Sequence, residues 1–299
     1  MQSLSWYLHR LRSMSPGEIV WRVQGKAGDT VGRFLAARRK APLPADRVRV
    51  SGLPPFDERA VNPGWTAPGD ISGLPGDAVL WRETLRLRAD VLRQNRLTLF
   101  DLVDHPLGKT INWNYEYKAG KPAPLIYAPD IDYRDYNETG DCKFVWEPSR
   151  HYHWVTLARA YRLTGRTQYA ETIAAQLESW IEQCPYGYGM NWRSPLELAI
   201  RLINWAWAFE LIRPSGVMTP ERMDRVLGVV WRHLWDISRK YSRYSSANNH
   251  RIGEAAGVYI GAAYFSGLRG AQRWRQTAHR ILFEEIFAQT YPDGGNREQ

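Results

Sequence analysis

Cysteine is scarce in this sequence: Cys142 and Cys184 are the only two in 299 residues. Two thiols imply neither a disulfide framework nor a metal site. Cys184 falls on the apolar face of an expected helix and reads as a small buried hydrophobe. Long apolar runs are also missing. No stretch approaches the ~18 residues that a membrane-crossing helix needs. The start, Met1 to Arg10, lacks the apolar run of a signal peptide. These absences point to a chain with no membrane span and lean toward a cytoplasmic setting. Charge is nearly absent from the body as a net quantity. Of the +9 total, +7 lies in residues 1–50, where ten Lys/Arg face three acids. An anionic partner fits that excess. A nucleic-acid binder does not, because the excess lies outside the helical part of the chain.

Phenylalanine is sparse as well, with 8 against 14 Trp and 16 Tyr. Trp and Tyr join an apolar body to a polar tip. Most are expected to fill a large helical core, and a few to line a cleft where flat rings stack on sugar faces. The length allows one large domain or two small ones, and the balance of 44% hydrophobic and 24% charged residues is that of a globular protein.

Ser15-Pro16-Gly17-Glu18 is a capping box with proline at the first helical position. It predicts a helix to about Arg39. Residues 41–78 hold most of the proline and read as irregular wrapping, followed by a helix near 79–95. Residues 104–146 show no clear periodicity and predict a long loop region, of the kind that often carries function. From residue 149 the chain becomes regular. Ser149 is expected to cap a helix that stops at Gly165. Tyr169, Ile173, Leu177, Trp180, Ile181 and Cys184 then form one apolar stripe. Further helices are expected near 194–212, from Thr219-Pro220 onward, near 251–266 and near 270–289. Consecutive helices with short connections stack as antiparallel hairpins. The expected fold is all-α: an incomplete α/α toroid with an irregular N-terminal region, residues 1–148 supplying the first helices and wrapping and 149–299 the hairpin array of the same domain.

Three clusters could carry chemistry. Asn248-Asn249-His250-Arg251 precedes one of the most apolar stretches of the chain, so a polar group would sit at the edge of a buried helix. Amide, imidazole and guanidinium there can bind an anion and handle a proton. Ser194, Glu197, Arg201 and Asn204 form a narrow polar stripe on an otherwise apolar helix, which predicts the lining of a wet cleft. Glu147, Arg150 and His151 form the third cluster. Its plain reading is an ion pair across a helix start, and its functional reading puts Arg150 or His151 at the cleft mouth.

These residues match a family. Lys143-Phe144-Val145-Trp146-Glu147 with Arg150, then Asn191-Trp192 with Glu197, Arg201, Asn204 and Trp205, then Asn248-Asn249-His250, resembles the heparinase II/III-like polysaccharide lyases. The opening Arg10-Leu11, Met14 to Ile19 and Arg22 is similar to the start of that family's proteins. The resemblance implies an α/α toroid followed by a large β-sandwich, and cleavage of uronic-acid-containing polysaccharide by β-elimination. It implies an acidic polysaccharide or oligosaccharide as partner, no metal, no cofactor, and a periplasmic or secreted setting. Asn249 would contact the uronate carboxylate and His250 would act as charge neutraliser or base. Glu147, Arg150, His151, Trp192, Glu197, Arg201, Asn204, Asn248 and Arg251 would bind substrate. The family's catalytic tyrosine follows an Asp-Gly segment like Asp293-Gly294, and the sequence reaches Gln299 before such a tyrosine. That departure leaves two alternatives open: a glycan-binding or scaffold toroid, and a toroid glycoside hydrolase using carboxylates among Glu147, Glu197 and Glu254.

Overall fold

The periodicity that begins near residue 149 folds into two layers of helices. The structure, a computed structural model, describes residues 13–39, 43–50 and 78–297. Helices α1 (Pro16–Arg39), α2 (Ala45–Val48) and α3 (Ala78–Leu92) precede a hairpin of β1 (Arg96–Leu99) and β2 (Leu102–Pro106). A two-residue pair follows, β3 (Tyr115–Glu116) and β4 (Lys121–Pro122). Then come α4 (Tyr136–Thr139), α5 (Lys143–Ser149), α6 (Tyr152–Thr164), α7 (Gln168–Gln183), α8 (Pro195–Ile212), α9 (Pro220–Arg239), α10 (Asn248–Tyr264) and α11 (Ala271–Ala288).

Three hairpins make the array. His153 meets Gln176, Arg201 meets His233, and Arg251 meets Glu285, which pairs α6 with α7, α8 with α9, and α10 with α11. Neighbouring hairpins are in parallel register. Gly253, Gly257 and Gly261 of α10 abut Leu196, Ala199 and Leu202 of α8 in the same order. Arg222 and Arg225 of α9 pair with Glu178 and Glu182 of α7, also in order. So α6, α8 and α10 run parallel in one layer, with α6 starting level with the middle of α8, and α7, α9 and α11 form the other. This is an all-α, incomplete toroid.

Local sequence explains the boundaries. Thr219 accepts a hydrogen bond from the Arg222 amide, with Pro220 at the first helical position of α9. Gly165 ends α6 in the left-handed conformation. The stripes Tyr169-Ile173-Leu177-Trp180 and Met223-Val226-Leu227-Val230-Leu234-Ile237 are buried as the periodicity requires, and Cys184 is buried beside them. Trp113, Trp154, Trp180 and Trp205 are fully buried, so the tryptophans of the centre are core.

The structure corrects two expectations. Residues 104–146 are not one loop: they contain β2 to β4, α4 and the start of α5. Ser149 does not cap the next helix. It ends α5, and α6 begins at Tyr152 after His151, which adopts a left-handed backbone at φ 62°. The capping box opens α1 as expected, and Glu18 also reaches beyond it. The Glu18 amide binds Ser15 Oγ at 3.2 Å, and its carboxylate is held by Arg22 and Ser245. Of the wrapping segment expected at 41–78, most falls outside the described residues, as do Arg10 and Leu11. Among the described residues, no helix is long and apolar enough to cross a membrane, and no cluster of His, Cys, Asp or Glu could hold a metal ion.

Candidate functional site

The N-terminal side of the α6, α8 and α10 layer gathers the polar clusters, but it sorts them into two kinds. The first is buried. Between α5 and α6 the helical ladder is interrupted, and carbonyls at the break lose their helical donors. The stripe on α8 supplies replacements. Arg201 Nε donates to Ser149 O at 2.8 Å, and Asn204 Nδ2 donates to Arg150 O at 2.8 Å. Trp205 Nε1 donates to His151 Nδ1 at 2.9 Å, which leaves the His151 proton on Nε2. The His151 ring stacks on Trp154 with centroids 3.7 Å apart.

Arg201 has no exposed surface and lies 4.4 Å over the Trp180 ring. Its Nη1 is 2.9 Å from His233 Nε2, while His233 Nδ1 lies 2.8 Å from Val229 O. The carbonyl can only accept, so His233 is the Nδ1–H tautomer and Nε2 accepts from arginine. Burial lowers the pKa of Arg201 to about 10 and holds both His151 and His233 well below the ordinary histidine value. These histidines are neutral. Trp192 is also enclosed, its Nε1 donating to Cys184 O at 2.9 Å.

The expectation of a wet cleft lined by this stripe is therefore corrected. Glu197, Arg201 and Asn204, with His151 and Trp192, are buried. A polar stripe on an apolar helix was needed to satisfy the backbone at the α5–α6 break.

Glu147, Arg150 and Glu197 form the bridge between scaffold and surface. Arg150 grips Glu197 with two bonds, Nε–Oε2 at 2.7 Å and Nη2–Oε1 at 2.8 Å, and donates from Nη1 to Glu147 Oε2 at 2.9 Å. Glu147 is only partly buried, and burial raises its carboxyl pKa. With Arg201 the four formal charges cancel.

The second kind is exposed. Asn248, Asn249 and His250 occupy the first turn of α10 and are open to solvent. The register with α8 sets Gly253 against Leu196, so this turn stands level with Arg193 and Ser194. Arg251 is less free: Nε lies 2.6 Å from Glu285 Oε1, and Nη1 donates to Ser242 O at 3.2 Å. The sequence reading missed the supports of this turn. Glu254 is fully buried, and its carboxylate accepts from the Ser242 amide and hydroxyl, both at 2.7 Å. Burial pushes its pKa up to about 7. Gln289 Nε2 donates to Asn248 O at 2.9 Å. His233 was missed too. Its 32-residue separation from Arg201 gives no local signal.

Comparison with known proteins agrees with the fold. The heparinase II/III N-terminus family matches residues 91–299. A heparin-sulfate lyase of Bacteroides stercoris is 31% identical over 205 residues, covering 62% of this chain and 30% of the relative. One from Pedobacter heparinus is 28% identical over 173 residues, covering 56% and 26%. Among solved structures, a heparan sulfate lyase of Pedobacter heparinus superposes with a TM-score of 0.58 at 25% identity, over 80% of this chain and 34% of that one. A heparinase III structure gives 0.57 at 22% identity, over 82% and 36%. The chain thus spans about a third of the length of these proteins.

Proposed function

The chain belongs to the heparinase II/III N-terminus family, and from that premise we propose that it forms the helical part of a lyase that cleaves uronic-acid-containing polysaccharide by β-elimination. The observation that carries this reading is the exposed first turn of α10, where Asn249 and His250 sit side by side above a buried scaffold.

The chemistry asks for such groups. A proton on C5 of a uronate is weakly acidic. Its removal places charge on the adjoining carboxylate as an enolate; the C4–O bond then breaks, its oxygen leaves with the electron pair and takes up a proton from an acid or water, and a 4,5-unsaturated sugar remains. A carboxamide that donates to the carboxylate stabilises the enolate more than the ground state. Asn249 has that role in the proposal. His250 neutralises charge or accepts the proton. The N-termini of α8 and α10 add partial positive charge at this end, and the charges of Glu147, Arg150, Glu197 and Arg201 cancel. Asn248 and Arg251 shape the turn and are proposed to meet the same chain of sugars.

Asn249→Ala in the intact protein tests the reading. Elimination, followed by ultraviolet absorbance of the unsaturated product, is expected to slow by ~10²–10³, mainly in kcat. The melting temperature is expected to hold, because Asn249 is exposed. Parent-level activity in the variant, or loss that merely tracks melting, would overturn the assignment.

A further inference from the structure

A second recess lies on the other flank of α6, between α3, β1 and the end of α5. It encloses about 170 Å³, and its walls include Arg88, Thr98, Glu147, Tyr152, His153 and Thr156. At roughly 30 Å³ per water, the space takes about five or six waters. That is room for one sugar ring and not for several.

The state of one wall group follows from the hydrogen bonds behind it. Asn95 Nδ2 donates to the carbonyls of Gly108 and Lys109, so Asn95 Oδ1 faces the other way and accepts from Gln176 Nε2 at 2.9 Å. Gln176 Oε1 accepts from Trp154 Nε1 at 2.7 Å, and tryptophan can only donate. The same oxygen lies 2.9 Å from His153 Nε2, so that nitrogen carries the imidazole proton. His153 Nδ1 is left as a bare acceptor. Burial lowers the His153 pKa to about 4, which keeps the acceptor available at neutral pH.

The other wall groups point to the same class of ligand. Arg88 pairs with Asp104, which balances its charge, and donates to Thr98. Glu147 shares one oxygen with Arg150 and brings negative charge to the wall. Tyr152 is half exposed, with a flat apolar face, and Leu97 and Leu99 form an apolar side. The inventory is two acceptors, hydroxyls and apolar area. That matches a group rich in hydroxyl donors with one apolar face, and it opposes an anion.

We propose that this recess binds a single uncharged pyranose residue of the polysaccharide, whose hydroxyls donate to His153 Nδ1 and Glu147 while Tyr152 covers a ring face. The inference rests on the reading of the chain as a polysaccharide binder and adds to it a subsite for an uncharged residue of the same polysaccharide, on the far side of α6 from Asn249.

The test uses this chain labelled with ¹⁵N-histidine. The probe is an unsulfated oligosaccharide of alternating uronate and N-acetylglucosamine, with inorganic sulfate as a second probe. The oligosaccharide is expected to move the His153 Nδ1 resonance. Tyr152→Ala, at an exposed position, is expected to weaken binding about tenfold, and Thr156→Phe to abolish the His153 response by filling the recess. If the oligosaccharide moves His250 but leaves His153 unchanged, the subsite is overturned and the lyase reading stands. If it moves neither, both fall. If sulfate moves His153, the recess is an anion site and the proposal fails.

Discussion

Glu254→Gln is expected to stabilise the chain at pH 8 and to leave it nearly unchanged near pH 4.5. The Glu254 carboxyl titrates near 4.5 in an open chain and near 7 when folded, because burial disfavours the charged form. Between those values the folded chain holds a proton that the unfolded chain has released. Stability therefore falls as pH rises from about 4.5 through 7, and the loss is complete above that. A shift of about 2.5 units is worth ~3 kcal/mol. Glutamine does not titrate. Its oxygen can keep the Ser242 amide bond, and its NH₂ can donate to the Ser242 hydroxyl, which rotates to accept. With unfolding entropy near 2.1 cal/mol/K per residue, ~3 kcal/mol in a chain of this size shifts the melting temperature by about 5 °C. Melting curves of parent and variant at pH 4.5 and 8, compared as a difference of differences, remove every titration the two share. A variant destabilised equally at both pH values would show that the two bonds to Ser242 outweigh the burial of the charge, and the reasoning would be refuted.

Three further substitutions probe the scaffold. At Gly257, an added Cβ would stand 2.5 Å from both Cα and Cβ of Ala199, so Gly257→Ala is expected to cost about 1–3 kcal/mol. Gly253→Ala meets only the movable end of Leu196 and is expected to be close to neutral; equal melting temperatures for the two variants would contradict the register of α8 and α10. Arg201→Met leaves Ser149 O and His233 Nε2 buried without donors and is expected to cost ~2–5 kcal/mol. An unchanged denaturant midpoint would show that the arginine's bonds only offset its own burial.

The helical array was legible because its cause is local. Period-3.6 stripes, Thr219-Pro220 and Gly165 act within a few residues, and each helix from α7 onward lies where they put it. The α5–α6 break was not legible, because a left-handed His151 is stabilised by Trp154 and by Trp205, 54 residues away. The same distance misled the reading of α8. Glu197, Arg201 and Asn204 look alike as a polar stripe whether they face water or a broken backbone, and only the position of residues 149–151 decides. Asn249 and His250 fared differently: their place at a helix start is local, and the structure leaves them exposed. The His153 relay runs through Gln176 to Asn95 across 81 residues and leaves no mark in the sequence.

Helix α1 ties the loop before α10 to the start of the chain. Arg22 and Glu18 both bind Ser245, bridging 223 and 227 residues, while Tyr127 reaches back to Asp29 O and Arg33 to Asp130. Stacked hairpins of this kind can fold by adding each unit to the last, since their contacts are mostly between neighbours. The tie does not obey that order. Its partners lie 223 and 227 residues apart in sequence, and closing so long a loop is slow. The helical array can thus be complete while the loop leading to Asn249 and His250 is still unheld, so the turn that opens α10 is the part of the molecule whose formation waits on a helix 227 residues before it.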